Sequence, residues 1–290
     1  MGLTGRQRNT LEQFYTNKSI ARNCLKTLNY FCPLTQYEAL VEPSAGLGVF
    51  LDEIGVYQLS QKPYACDIIE NSNRDDIWTQ DFLSLSQETI TSWAKSKTLV
   101  FGNPPFGRQS SLVRKFITQS ARFADTIAFI LPRSFLKPSL HRSYPEYFHQ
   151  VYSEELPSDC FHLSNGKRHH VPCVFQIWKK KSTPRAKPMV YQPCHYYQFT
   201  SSPQEADASF RRVGMYAGQV SRHTEGKSPS SHYFIQLSFE VLPEQKLKIL
   251  DRLGDYSWKS DRTVGPKSVS KQELVPVLNQ IFTDIYGTDE

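Results

Sequence analysis

Long apolar runs are missing from this 290-residue chain. No stretch approaches the roughly 20 apolar residues needed to cross a bilayer. The opening residues Met1–Thr10 are polar and lack the apolar core of a secretion signal, so a cytoplasmic protein without a membrane partner is expected. The six cysteines, at 24, 32, 66, 160, 173 and 194, include no Cys-x-x-Cys pair, and no Cys/His set has zinc-site spacing. That pattern points to free thiols in a reducing compartment and to no bound metal. Internal repeats are absent. The dinucleotide fingerprint Gly-x-Gly-x-x-Gly is absent too, so no nicotinamide cofactor is indicated.

What is present is a succession of short apolar strands, each ending in a chemically distinctive turn. The formal net charge is +6, which suits a polyanionic partner only weakly by itself. Lys97–Phe101 reads as a buried strand that runs into Gly102–Asn103–Pro104–Pro105–Phe106–Gly107. Leu112, Val113, Phe116 and Ile117 then share one face of a helix, with Ser110 or Ser111 as its cap. In an open α/β sheet this turn lies at the carboxyl end of a strand, where ligands bind. The two prolines stiffen the loop and remove backbone donors, leaving it rich in carbonyl acceptors. Asn103 adds a side-chain acceptor and Phe106 a flat π-face. Two acceptors beside an aromatic plate suit a planar ring bearing an amino group.

Ala39–Glu42 is a second buried strand, and Pro43–Ser44–Ala45–Gly46–Leu47–Gly48 turns directly into a helix from Val49. Its glycines permit a tight turn and close approach of backbone to a ligand. Tyr64–Asp67 also ends in an acid, placed where a carboxylate can accept both hydroxyls of a ribose. Ile77–Phe82 contributes a further acid, Asp81. Ala124–Leu131 is a long apolar strand, followed by a strand at Val151–Leu156. Cys160–His162 and His170–Trp178 flank Asn165–Gly166, a hairpin signal.

Taken together, Gln13–Phe14–Tyr15–Thr16, Glu42–Pro-Ser-Ala-Gly-x-Gly-x-Phe50, Asn103–Pro-Pro-Phe-Gly-Arg108 and Val171–Pro-Cys-Val-Phe-Gln-Ile-Trp178 resemble the ordered motifs of adenine-6-amino DNA methyltransferases. The resemblance covers roughly residues 10 to 180. It implies a Rossmann-like α/β fold: a mostly parallel seven-stranded sheet ending in an antiparallel hairpin, here placed at Asn165–Gly166, plus a small α+β C-terminal region. It implies S-adenosylmethionine as cofactor, held by Tyr15, Thr16, Glu42, Ser44, Gly46, Gly48, Asp67, Ile68, Asp81, Phe82 and Asn103. In that family the Phe-Tyr-Thr segment lies over the methionine end, Glu42 near its ammonium, and Asp81 near the adenine amine. Phe82 and Ile68 would wall the adenine. Asn103, Pro104, Pro105 and Phe106 would be the catalytic loop, with the target base flipped out of its helix. Phe161 would touch the base edge.

Lys167, Arg168, Lys179, Lys180, Lys181, Arg185 and Lys187 fall between Phe161 and Val190 without one acid. Beside a base-binding site such a cluster is expected to contact phosphates, as are Lys267 and Lys271. The expected division is 1–182 for methyl transfer and 183–290 for substrate recognition. In the latter, Val213–Val220 and His232–Phe239 read as strands, and a final helix opens on the capping box Ser270 to Glu273. DNA adenine is the expected substrate, but the features between residues 10 and 180 do not separate it from adenine in RNA or a glutamine amide under the same chemistry, and a catalytically silent nucleic-acid-binding module is the alternative of another class. Oligomeric state is not legible in this pattern.

Overall fold

The computed structural model describes residues 14–162, 166, 168–187, 189–258 and 268–287. They divide into two compact units, 1–186 and 187–290.

The first unit runs β1 (Tyr15–Thr16), α1 (Lys18–Phe31), β2 (Ala39–Glu42), α2 (Val49–Gly55), β3 (Tyr64–Asp67), β4 (Trp78–Thr79), α3 (Gln87–Trp93), β5 (Thr98–Gly102), α4 (Ser111–Ser120), β6 (Thr126–Pro132), β7 (Phe148–Glu155), β8 (Phe161–His162), β9 (Arg168–His169) and β10 (Cys173–Lys180). Seven of these strands form one sheet in the order β4-β3-β2-β5-β6-β10-β7. All its strands are parallel except β10, which runs antiparallel to both neighbours. This is the expected Rossmann-like α/β arrangement.

Strands β2, β5 and β6 are buried along their whole length, because helices cover both faces of the sheet. Alternate residues serve opposite cores. Leu40, Leu99, Phe101, Ala128 and Ile130 pack against Ile20, Cys24, Leu25 and Leu28 of α1 and Phe50 and Ile54 of α2. Val41, Val100, Ile127, Phe129 and Leu131 meet Trp93 of α3 and Val113, Phe116 and Ile117 of α4. The helix stripe and the strand alternation therefore specify each other's partner faces.

The hairpin expectation needs correction. The segments flanking Asn165–Gly166 pair as β8 and β9, but they lie outside the seven-stranded sheet. They join β1 in a separate three-stranded sheet, with Tyr15 opposite His162 and Thr16 opposite Phe161. The antiparallel pair that completes the main sheet is β7 with β10. The cysteines are all free, and five of the six are buried.

The second unit has β11 (Tyr197–Thr200), β12 (Ala208–Arg211), β13 (Val220–Ser221), β14 (His232–Leu237), α5 (Pro243–Asp255) and α6 (Lys271–Tyr286). Its sheet has the order β11-β14-β12-β13. Phe210, Ile235 and Leu237 pack against Ile249 and Leu253 of α5 and Leu274, Leu278 and Phe282 of α6. The capping box of Ser270 and Glu273 forms. The expected strand at 213–220 does not. Gly214 (φ +101°) and Gly218 (φ +105°) turn the chain there, and a Cβ on Gly218 would stand 2.5 Å from the Trp258 ring. Only Val220 and Ser221 remain extended as β13.

Candidate active site

The carboxyl ends of β2 and β5 and the two-residue strands β1 and β8 enclose a cavity of about 240 Å³. Tyr15, Thr16, Glu42, Ser44, Gly46 and Asn103 line it, all of them sequence-expected. Asn103 follows β5 directly, and two hydrogen bonds fix its position. Its Nδ2 donates to the Phe14 carbonyl at 3.2 Å, and its own carbonyl accepts from Ser44 Oγ at 3.1 Å. With the amide nitrogen so engaged, Oδ1 is left buried with no hydrogen-bond partner. An acceptor kept in that state is costly unless a donor arrives.

Glu42 is 1% exposed, and its Oε2 also lacks a partner. Burial drives its pKa well above the ordinary 4.5; the Asp67 charge adds to the rise and Arg74 opposes it. A carboxyl raised in the fold stabilises the fold below its ordinary value, and that contribution is lost as pH rises through the folded value. Glu42→Gln removes the buried ionisation. The variant is expected to gain stability relative to the parent as pH rises from 4.5 toward 8, read as urea midpoints across pH. A difference that does not change with pH would show that Glu42 titrates alike in the folded and unfolded chains, so that burial does not raise its pKa.

The Pro43–Gly48 turn is pinned from several sides. Asp67 Oδ2 accepts from the Gly46 N–H at 2.8 Å and its Oδ1 from the Ile69 N–H at 3.0 Å. Asn71 Nδ2 donates to the Gly46 carbonyl at 3.2 Å. Tyr15 lies over Gly46, whose φ is +52°, with its ring 3.4 Å from where a Cβ would stand. Gly48 (φ +80°) begins α2 under the Arg74 guanidinium, only 2.6 Å from a would-be Cβ. Arg74 braces Asp52 and Asp76, each at 2.7 Å. Asp67 and Gly48 thus act on the turn from outside the cavity lining.

The loop after Asn103 is backbone-strained. Gly107, Gln109 and Ser110 have φ of +70°, +53° and +60°. Left-handed conformation costs a non-glycine residue about 1–2 kcal/mol. Ser110 precedes α4 but gives it no side-chain cap, unlike the sequence expectation. Such strain clusters where a fixed loop shape is needed. Phe106 is 7% exposed, and its carbonyl accepts from the Leu112 and Val113 N–H groups at 3.2 Å.

Several expected residues lie elsewhere. Phe82 is buried in the core, stacked on Phe116 at 5.3 Å, and is not among the residues lining this cavity. Phe161 is likewise fully buried, 6.4 Å from Phe106 and 6.2 Å from Phe14. Asp81 caps a short turn, accepting from the Leu83 N–H at 2.9 Å, and Ile68 is exposed.

The lysine triplet is also displaced. Lys179 pairs with Thr126 at the start of β6, whereas the cavity lies at the strands' carboxyl ends. Seven residues of β6 at about 3.3 Å each put roughly 20 Å of sheet between them. Lys179, Lys180 and Lys181 therefore do not flank the site, because β10 runs antiparallel. Lys271, in the other unit, holds its ammonium 4.5 Å from the Phe199 ring centre. Lys167, Lys267 and the Arg168 side chain lie outside the described residues.

Sequence reading missed Leu47, Asp52 and His162 as lining residues. His162 had a signal: in an extended pair its side chain must point opposite to that of buried Phe161. Asn17 donates from Nδ2 to the Asp159 carbonyl, so its Oδ1 is an acceptor. His162 Nδ1, 2.9 Å from that oxygen, therefore donates to it.

Among the described residues no group of His, Cys, Asp or Glu could hold a metal ion, and no helix is long and apolar enough to cross a membrane. No protein-family model and no curated protein matches the sequence. Solved structures are similar at the level of the fold. A candidate RNA methyltransferase from Pyrococcus horikoshii aligns at 15% identity over 60% of this chain and 91% of its own, with a TM-score of 0.45. The 23S rRNA methyltransferase ErmE aligns at 12% identity over 60% of this chain and 72% of its own, TM-score 0.44. A candidate class I S-adenosylmethionine-dependent methyltransferase from Listeria monocytogenes aligns at 12% identity over 64% of this chain and 66% of its own, TM-score 0.45. At these scores the likeness carries no weight for ligand or substrate, and the fold rests on its own strand order.

Proposed function

We propose that the chain transfers a methyl group from S-adenosylmethionine to the 6-amino group of adenine in DNA. The observation that carries this reading is the unpartnered, buried Oδ1 of Asn103 at the end of β5, in the lining of the cavity.

The residues present fit the cofactor. Glu42 offers a buried carboxyl oxygen without a partner, and an arriving α-ammonium would favour its ionised, acceptor form. Tyr15, Leu47 and Phe50 supply apolar wall, and the glycine turn lets backbone approach closely. When bound, the cofactor supplies a methyl group made electrophilic by its sulfonium. The protein's task is the amine, a poor nucleophile whose lone pair is delocalised into the ring. Asn103 Oδ1 and the Pro104 carbonyl accept its two N–H bonds and draw the nitrogen out of plane, which localises the lone pair. The same acceptors stabilise positive charge developing on nitrogen, and the stiff loop holds the in-line geometry. A base stacked in a duplex cannot reach Asn103, so it must be flipped or unpaired.

Asp67→Ala is expected to weaken cofactor binding by about 1–3 kcal/mol in calorimetry, since it leaves polar partners unpaired and frees the Gly46 amide. Affinity equal to the parent's would remove Asp67 from the cofactor site. The function itself is tested by tritium transfer from labelled cofactor to DNA, RNA and protein in parallel, with nucleoside analysis of the product. Label in N6-methyladenosine of RNA or in protein, with none in DNA, would reassign the substrate. No label in any of the three would leave a silent binding module.

A further inference from the structure

Charge is segregated within the 187–290 unit. From Ala208 to His232 the chain carries Arg211, Arg212, Arg222 and Lys227 against Glu225 alone. Arg222 is paired with Asp251 at 2.8 Å, and Arg212 sits 5.0 Å over the Tyr233 ring. The other two cations converge on one face of the sheet. Arg211 stands directly opposite His232 in the β12–β14 pairing, and Ser209, two residues earlier, shares its face. Lys227 Nζ donates to Ser209 Oγ at 2.8 Å, a neutral hydroxyl. Arg211 uses Nε on the Val213 carbonyl at 2.9 Å, while its Nη2 spreads over Gly214, where a Cβ would stand 3.6 Å away. Among the described residues neither cation is paired with a carboxylate.

His232 completes the group. It is 8% exposed, and its Nδ1 lies 3.0 Å from Ser231 Oγ and 3.3 Å from the Ser228 carbonyl. Burial lowers its pKa first, and Arg211 and Lys227 lower it further against the opposing Ser228 contact. Two cations and an imidazole gathered without a counter-charge oppose the fold unless an anion joins them.

We propose that Arg211, Lys227 and His232 form a seat for a phosphate group of a nucleic-acid strand. The seat offers donors only: guanidinium N–H groups, an ammonium, and imidazole Nε2–H once the anion favours its protonation. The choice of a nucleic-acid strand as the phosphate's source rests on the proposed function; the seat itself does not.

The test uses the full chain without cofactor. The His232 ring proton signal, identified by its loss in His232→Gln, is followed by NMR through pH titrations with inorganic phosphate, short duplex DNA or short single-stranded RNA. A strand is expected to raise the His232 midpoint. In binding measured across salt, Lys227→Gln should weaken the duplex several-fold and lower the log–log salt slope by about 0.9, and Lys227→Arg should restore both. Lys227 is partly exposed, so its replacement does not threaten the core. A His232 midpoint indifferent to every phosphate compound would overturn the seat. A response to inorganic phosphate but to neither strand would overturn the nucleic-acid assignment. So would an unchanged salt slope in Lys227→Gln. None of these readouts involves methyl transfer, so a chain that methylates DNA while His232 stays silent refutes this seat alone.

Discussion

Asn103→Ala is expected to lower single-turnover methyl transfer by about 100-fold or more, with cofactor affinity nearly intact. The magnitude follows removal of a single preorganised transition-state hydrogen bond in other enzymes. The direction follows from the geometry. The side chain's nitrogen is anchored on Phe14 and its oxygen, at the cavity, has no partner, so truncation removes an open acceptor while leaving the cavity's other lining residues in place. An interaction made chiefly in the transition state lowers kcat, not ground-state binding. Cofactor binding by calorimetry and single-turnover rates on DNA separate the two. Wild-type turnover in this variant would remove the loop from the chemistry, and an equal loss in both measurements would make Asn103 a structural residue of the turn.

The second large effect is on stability. Phe161→Ala should cost about 3–5 kcal/mol in urea unfolding, as deletion of a fully buried aromatic side chain does. Phe161 has no exposed surface, and it packs between Phe14 and Phe106 in the core under α1. Phe161→Leu fills much of the same volume and should recover most of the loss. If Phe161→Ala unfolded at the parent's midpoint but failed to methylate, the ring would belong to the base pocket and not to the core.

Local patterns in the sequence carried most of the main sheet. An apolar run of four to five residues that ends in an acid or a glycine before a turn reads as a parallel strand, and Ala39–Glu42, Tyr64–Asp67 and Thr98–Gly102 all follow that rule. Tyr15, Thr16, Glu42, Ser44, Gly46 and Asn103 were legible for the same reason, since each lies at or beside a strand end. Non-local facts were not legible. The Asn165–Gly166 hairpin is a local signal, but its partner, β1, is fixed by packing far along the chain. Phe82 and Phe161 are aromatics beside functional turns, and no spacing rule separates a core ring from a pocket ring. The Lys179–Lys181 cluster was a true charge run placed at the wrong end, because strand direction in β10 depends on which neighbours it joins.

The pairing of β1 with β8 also sets a clock on biosynthesis. Asn17 and His162, which hydrogen-bond beside that pair, are 145 positions apart. At about 5–20 residues per second, the ribosome needs roughly 7–30 s to deliver the second after the first. During that interval α1 and the first parallel strands can assemble through shorter-range contacts. The Phe14–Thr16 segment has no strand to lie against, and Asn17 has neither the Cys160 carbonyl nor His162 to hold it. Ligand capture is therefore a late event in the life of the nascent chain. A translation product that stops before residue 161 retains strands β2 to β6 of the main sheet, lacks the β10 strand through which β7 joins it, and lacks one wall of the cavity.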